Sequence, residues 1–523
     1  MTRRTPAAFT AALALAACAA AVSAPAPAAA QGAPAAGLSL EQAAATITPQ
    51  DLHARIEFLA SDLMRGRDTP SPELEIAAGY LVNQYRLMGY APGGEDATFL
   101  QWWPFPLRRL NAAAASFDVA GAGGTTRLAL GRDFFSAGGT ASPVTGSGLV
   151  WAGSAAEGVL AEGSLRDRVV VVALPGRYTR DWRLERNRQR VAAQRAGAAA
   201  VVYVLDPVWT ADSIAKYGQM AQAPSRGMST TPAYPQLFVS QEAARRLFQA
   251  GGVSLEQQWG GAAAVTRPAP LAGATASFSL PVEMLDQARA PNVAAVLPGS
   301  DPALRDEYVV VSAHFDHVGV GAPVNGDSIY NGADDDASGT SGLLEVAQAF
   351  AQLGVRPRRS VLFLHVSGEE KGLAGSEWYS DHPTVPLGQI VANVNVDMIG
   401  RNAPDSVVVI GKDYSTLGDL ANRLDEAHPE LNLTLADDIW PQERFFFRSD
   451  HFNFARKEIP AIFFFSGVHE DYHRPSDEVE KIDLDKATRI SRMVFYLVYE
   501  IANDPQRPRW DPEGLAEVRR MVR

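Results

Sequence analysis

Four short runs of apolar, β-prone residues recur in the C-terminal half: 308–313 (YVVVSA), 361–366 (VLFLHV), 390–396 (IVANVNV) and 461–465 (AIFFF). Runs this continuous suit strands buried on both faces of a sheet. Helical patterns lie among them. Leu343, Ala347 and Phe350 share one helical face, and Ile490, Met493, Val494, Leu497, Val498 and Ile501 form an apolar stripe near the C-terminus. Strand and helix in alternation predict a mixed α/β domain whose mainly parallel sheet is sandwiched by helices.

The rest of the chain has a different texture. Residues 39–90 read as helical, with Leu52, Ile56, Leu59 and Leu63 at three- and four-residue spacing and a second helix over 73–88 closed by Gly89. From Gly138 to about Leu280 the sequence is rich in Ala, Gly and Ser. There the strand-like runs 169–174 and 201–205 flank a helix over 183–195. This predicts a small α/β domain inserted into the larger one. The expected parts are 38–137 and 286–505 for the main domain, 138–285 for the insert and 506–523 for a polar surface tail. A chain of 523 residues accommodates two folded units and an export segment.

Residues 1–30 read as that segment, with Arg3 and Arg4 before a short apolar stretch and small residues after it. The only cysteine, Cys18, closes the tetrapeptide LAAC, which resembles a bacterial lipoprotein signal. The expected location is therefore exported: periplasmic, outer-membrane lipoprotein or secreted, with membrane attachment only through such a lipid anchor. The folded part can hold no internal disulfide. A net charge of −12 argues against nucleic acid as a partner, since phosphate binding calls for basic patches.

Ionisable residues gather where the four apolar runs end, which is where open α/β sheets bind ligands. His314 and Asp316 follow the first run, Glu369 and Glu370 the second, Asp397 the third, and Tyr472 and His473 the fourth. Between the first two lies GADDDASG, residues 332–339. Each element alone is weak, because a His-x-Asp is usually a surface pair and a triple Asp often a helix cap with exposed charge. Five in order make a stronger case, since imidazole and carboxylate oxygen are zinc-type donors. His317, His365 and His469 lie nearby and are set aside as decoys; His365 falls inside a strand and reads as a packed core histidine.

The stretches SAHFDH, GADDDASG, VSGEEKGLAGS, NVNVDMIG and DYHRPSD resemble the co-catalytic two-zinc exopeptidase family of bacterial leucyl aminopeptidases and glutamate carboxypeptidases. The early ASDLMRGR and the late RSDHFNFARKEIPAIFFF add to the likeness, and the insert resembles a protease-associated domain. The resemblance implies two Zn2+ ions. His314 and Asp397 would hold one, Glu370 and His473 the other, and Asp335 would bridge them. Asp316 would orient the His314 ring, Glu369 would be the general base and Tyr472 an oxyanion donor. It also implies a cis peptide bond after Asp335. The substrate would be a peptide or protein N-terminus, which makes the chain a zinc aminopeptidase.

Three other readings share the fold. A carboxypeptidase of the glutamate type would need an arginine for the substrate carboxylate, and Arg401, Arg444 and Arg448 are the candidates. A glutaminyl cyclase binds a single zinc, which an intact Asp335 disfavours. A non-catalytic binding protein would have lost a ligand or the base, and neither is lost. Phe445, Phe446 and Phe447 read as core packing before pocket lining.

Overall fold

The computed structural model describes residues 37–522, apart from 138, 141 and 229–233. The export segment and Cys18 lie outside the described residues.

The four apolar runs are neighbouring strands of one nine-stranded sheet. Ser360–Val366, Tyr308–His314, Ile390–Val396 and Ala461–Phe465 lie side by side and parallel. The next strands outward run antiparallel to these four: Arg289–Leu297 flanks Ser360–Val366, and Ser406–Ile410 flanks Ala461–Phe465. Side chains alternate between two cores, as a pleated strand requires. Val309, Val311 and Ala313 join the core under the helices Pro49–Leu59, Pro72–Leu87, Gly339–Gln352 and Leu484–Asn503. Val310, Leu362 and Leu364 face the opposite core with Tyr379, Phe454 and Val518. Both faces are therefore apolar, which is why these strands show no polar alternation in sequence.

A second sheet of eight strands holds the insert. Its centre, Val144–Trp151, Val169–Leu174, Ala200–Leu205 and Gln236–Val239, is again parallel. The helix Arg180–Arg195 covers one face and Gln241–Ala250 the other. This sheet also takes Ser116–Gly121, Gly124–Leu128 and Phe134–Ala137, so it begins ahead of the expected start at 138. Ser116–Gly121 buries only Phe117 and Val119, Gly124–Leu128 only Leu128, and Phe134–Ala137 has only four residues, which leaves little apolar pattern to read. The chain enters and leaves the insert through adjacent antiparallel strands, Leu107–Leu110 and Val282–Met284.

The expected surface tail is instead docked. Pro512–Val522 is a helix that buries Val518, while Arg519 pairs with Glu458 at 2.8 Å and Trp510 Nε1 donates to the Glu458 carbonyl. Val518 and Trp510 supply apolar contacts, and backbone bonds from Thr416 to the Arg509 carbonyl and from Asp511 to the Tyr414 carbonyl add polar anchors, a pattern with no apolar periodicity.

Candidate metal centre

The carboxyl ends of the parallel strands meet at one point. His314 is the last residue of its strand, Asp397 follows Ile390–Val396, and Glu369 and Glu370 sit in the turn after Ser360–Val366. Asp335 arrives from the tight turn Ala333–Ser338 that leads into the helix Gly339–Gln352. The Asp335–Asp336 peptide bond is cis, as expected. The flanking aspartates hold this turn: Asp336 accepts the amides of Gly339 and Met398, and Asp334 that of Gly400.

The five expected ligands form two clusters that share Asp335. His314 Nε2 lies 3.2 Å from Asp335 Oδ1 and 3.5 Å from Asp397 Oδ1. His473 Nε2 lies 3.0 Å from Asp335 Oδ2 and 3.1 Å from Glu370 Oε1. Each oxygen of Asp335 thus serves a different cluster. Asp335 Oδ2, Glu370 Oε1, Asp397 Oδ1 and His473 Nε2 are buried without a hydrogen-bond partner among the described residues. Buried polar atoms are rarely left so. A divalent cation of the zinc type in each cluster would satisfy them all, so the donor set fits the metals the sequence implies. Burial alone would lower the pKa of His473, but the carboxylates of Asp335 and Glu370 close beside it bring it up to about 10.

Asp316 sits differently from the expectation. Its carboxylate is 3.6 Å from His314 Nδ1, while its backbone carbonyl is the nearer partner at 3.2 Å. The carboxylate accepts instead from Thr69 Oγ1 at 2.9 Å and from the Glu369 amide at 3.2 Å. It ties the histidine loop to the turn that carries Glu369. Glu369 and Tyr472 line the same cleft as His314, Asp335 and Asp397, and the Tyr472 ring stacks on His473 at 3.9 Å.

The decoys divide. His365 is a core residue bonded to the Tyr85 hydroxyl at 2.8 Å. His469 is 3.3 Å from Asp334 Oδ2, away from both clusters. His317 belongs to the second cluster, its Nδ1 2.9 Å from Glu370 Oε1 and 3.7 Å from Asp335 Oδ2. Sequence reading also missed Arg67. Fully buried, it donates to the carbonyls of Phe315, Leu59, Asn331 and Gly332, joining the loops on both sides of the centre.

Phe445 lines the cleft with Phe463, Phe465 and Met398, so one of the three phenylalanines is wall as well as core. Of the three arginines, Arg401 is engaged by Asp471 at 2.8 Å and Arg444 lies 4.9 Å over Phe447. Arg448 lines the cleft, 4.6 Å over the Phe445 ring.

Comparison with known proteins is consistent with this geometry. Residues 292–498 match the model of Peptidase family M28. A probable zinc metalloprotease of Pyricularia oryzae is 26% identical over 293 residues, 48% of this chain and 56% of the relative. A probable leucine aminopeptidase of Arthroderma benhamiae is 26% identical over 220 residues, 40% of this chain and 58% of the relative. Aminopeptidase YwaD of Bacillus subtilis is 28% identical over 213 residues, covering 39% and 43%. The chain spans about half the length of the curated relatives it matches. Among solved structures, the aminopeptidase from Aneurinibacillus sp. strain AM-1 aligns with 90% of this chain and 97% of its own, at 18% identity and a TM-score of 0.46.

Proposed function

From residues 292–498, which match the model of Peptidase family M28, we propose that this chain is a two-zinc aminopeptidase that removes N-terminal residues from peptides. The observation that carries the reading is Asp335, which offers one carboxylate oxygen to His314 and Asp397 and the other to Glu370 and His473. Zinc in both clusters would supply Lewis-acid polarisation of the scissile carbonyl and acidify the attacking water.

The chain's own groups do the rest. Glu369 stands in the cleft wall as the general base, taking a proton from water and passing it to the leaving amine. Burial raises its pKa well above that of an ordinary glutamate; His314 opposes this, and Asp450, Asp397 and Glu370 reinforce it. A more basic carboxylate suits a group that must hold a proton between two transfers. Tyr472 keeps its proton, since burial and the surrounding carboxylates raise it further, so it can donate to the developing oxyanion. Phe445, Phe463 and Phe465 offer an apolar wall to the substrate side chain. The insert is assigned as a protease-associated domain, and residues 1–30 as an export signal that places the enzyme in the periplasm, on a lipid anchor or outside the cell.

Arg448 supports a second reading. As the arginine in the cleft it could take a substrate carboxylate, which would make the chain a carboxypeptidase. One experiment separates the two. Purified protein with measured zinc content is assayed on a panel of aminoacyl peptides and their N-acetylated counterparts. The aminopeptidase reading expects hydrolysis only with a free amine. Release of C-terminal residues from acetylated peptides at an equal or higher rate would reverse the assignment.

A further inference from the structure

We propose that His317 is a direct metal ligand, so that the second cluster has four protein donors and the first has three. The proposal rests on the two-metal reading above and adds an asymmetry to it.

His317 is fully buried, and neither ring nitrogen has a hydrogen-bond partner among the described residues. An imidazole left so is costly unless something else occupies a nitrogen lone pair. Its Nδ1 points at the atoms that would hold the second ion: Glu370 Oε1 at 2.9 Å and Asp335 Oδ2 at 3.7 Å. Two further edges of that group are 3.0 Å, His473 to Asp335, and 3.1 Å, His473 to Glu370. Donors on one tetrahedral zinc, each about 2.1 Å from it, stand about 3.4 Å apart. The four contacts scatter around that value.

The backbone fixes the ring. The His317 amide donates to the Arg67 carbonyl, and Asp68 and His317 form an isolated bridge. Gly332, in the left-handed conformation at φ 61°, lies directly against it: a Cβ there would sit 2.5 Å from His317 Cγ. The turn that presents Asp335 thus opens on a glycine that leaves room for this imidazole. Among the described residues the first cluster has no counterpart, its donors being His314, Asp335 and Asp397.

The second site should therefore bind zinc more tightly than the first. Calorimetric titration of the metal-free full-length protein should show two unequal steps. His317→Asn keeps an N–H donor near the Nδ1 position but removes the ligand. It should weaken the tighter step by more than about 100-fold, beyond the usual effect of an outer-shell partner, and leave the weaker step in place. In the cobalt-loaded protein the visible absorption should change in the same variant. His314→Ala should remove the weaker step instead. If wild-type protein takes up two zinc ions in equal steps, or His317→Asn keeps wild-type affinity, His317 is a hydrogen-bond partner of Glu370 and the proposal fails while the two-metal reading stands. If wild-type protein takes up no zinc, the reading itself fails. Should the variant not fold, a crystal structure of zinc-loaded wild type decides. Nδ1 at about 2.1 Å from the ion supports the assignment, and a distance beyond about 3 Å overturns it.

Discussion

At the scale of single residues the centre turns on two adjacent glutamates with opposite surroundings. Glu370 faces imidazoles: burial would raise its pKa, yet the contacts with His317 and His473 bring it below the ordinary value. Glu369 is raised well above the ordinary value in the same turn. One is built to stay ionised as a ligand and the other to accept a proton. Glu369→Gln should keep both metals, because no ligand is removed, and lose about 10²–10⁴-fold in turnover, the usual contribution of a general base. Glu370→Gln should release one zinc and regain part of its activity at high zinc concentration. Metal content by mass spectrometry and turnover on one aminoacyl substrate check both. A Glu369→Gln protein that loses metal but stays active at saturating zinc would exchange the two roles.

At the scale of elements, the loop carrying Tyr472 and His473 has no regular structure and needs an anchor. Asp471 provides it, accepting from Ser476 Oγ and Lys481 Nζ, both at 2.6 Å, and from Arg401 at 2.8 Å. Burial works against the charged form, but these three donors hold its pKa below the ordinary aspartate value. A depressed carboxylate stabilises the fold fully above its unfolded pKa of about 3.9 and loses that contribution as pH falls through the folded value. Asp471→Asn should therefore cost about 1–3 kcal/mol at pH 7, with Lys481 partly open to solvent keeping the figure modest. The gap to wild type should narrow as pH drops below about 4. Urea midpoints at the two pH values measure this, and an unchanged gap would remove Asp471 as the anchor.

What the sequence disclosed follows the same physics. Buried parallel strands leave unbroken apolar runs, and ligands must follow them at their carboxyl ends, so strands 308–314, 360–366, 390–396 and 461–465 and the residues after them could be read. A loop residue's direction leaves no such trace. His317 looked like His469 in sequence, and only the fold separates them, setting His317 against Glu370 and His469 against Asp334. Asp316 could be placed near His314 by its spacing, but not its carboxylate's choice of Thr69 and the Glu369 amide. Arg67 stayed hidden because its partners are main-chain carbonyls from segments far apart in sequence.

For the whole molecule, the metals would be structural as well as chemical. The nine-stranded sheet has its own cores on both faces, and the insert has two more, so each half is packed around cores of its own. Among the contacts between the halves, Arg226 pairs with Asp286 at 2.9 Å and donates to the Phe105 carbonyl, and Met228 packs against the main core. The catalytic half concentrates like charge: Asp335, Asp336, Glu370 and Asp397 converge, with Asp477 accepting the amides of Asp334 and Asp335 behind them. Burial, reinforced by the neighbouring carboxylates of Asp397 and Asp335 and opposed by His314, raises Asp336 well above the ordinary range. Adding a chelator should therefore abolish hydrolysis and also lower the unfolding temperature of the catalytic half, leaving that of the insert nearly unchanged. Returning zinc should restore both. Because an ion that binds only the folded state adds RT ln(1 + [L]/Kd), free zinc at a hundredfold excess over Kd should contribute about 2.7 kcal/mol per site. The chain has a single cysteine and so no internal disulfide whose reduction could mimic the effect. Two calorimetric transitions are expected, the metal-dependent one moving with zinc concentration. Full activity in the chelated protein, or two transitions that shift together, would detach the metals from the catalytic half.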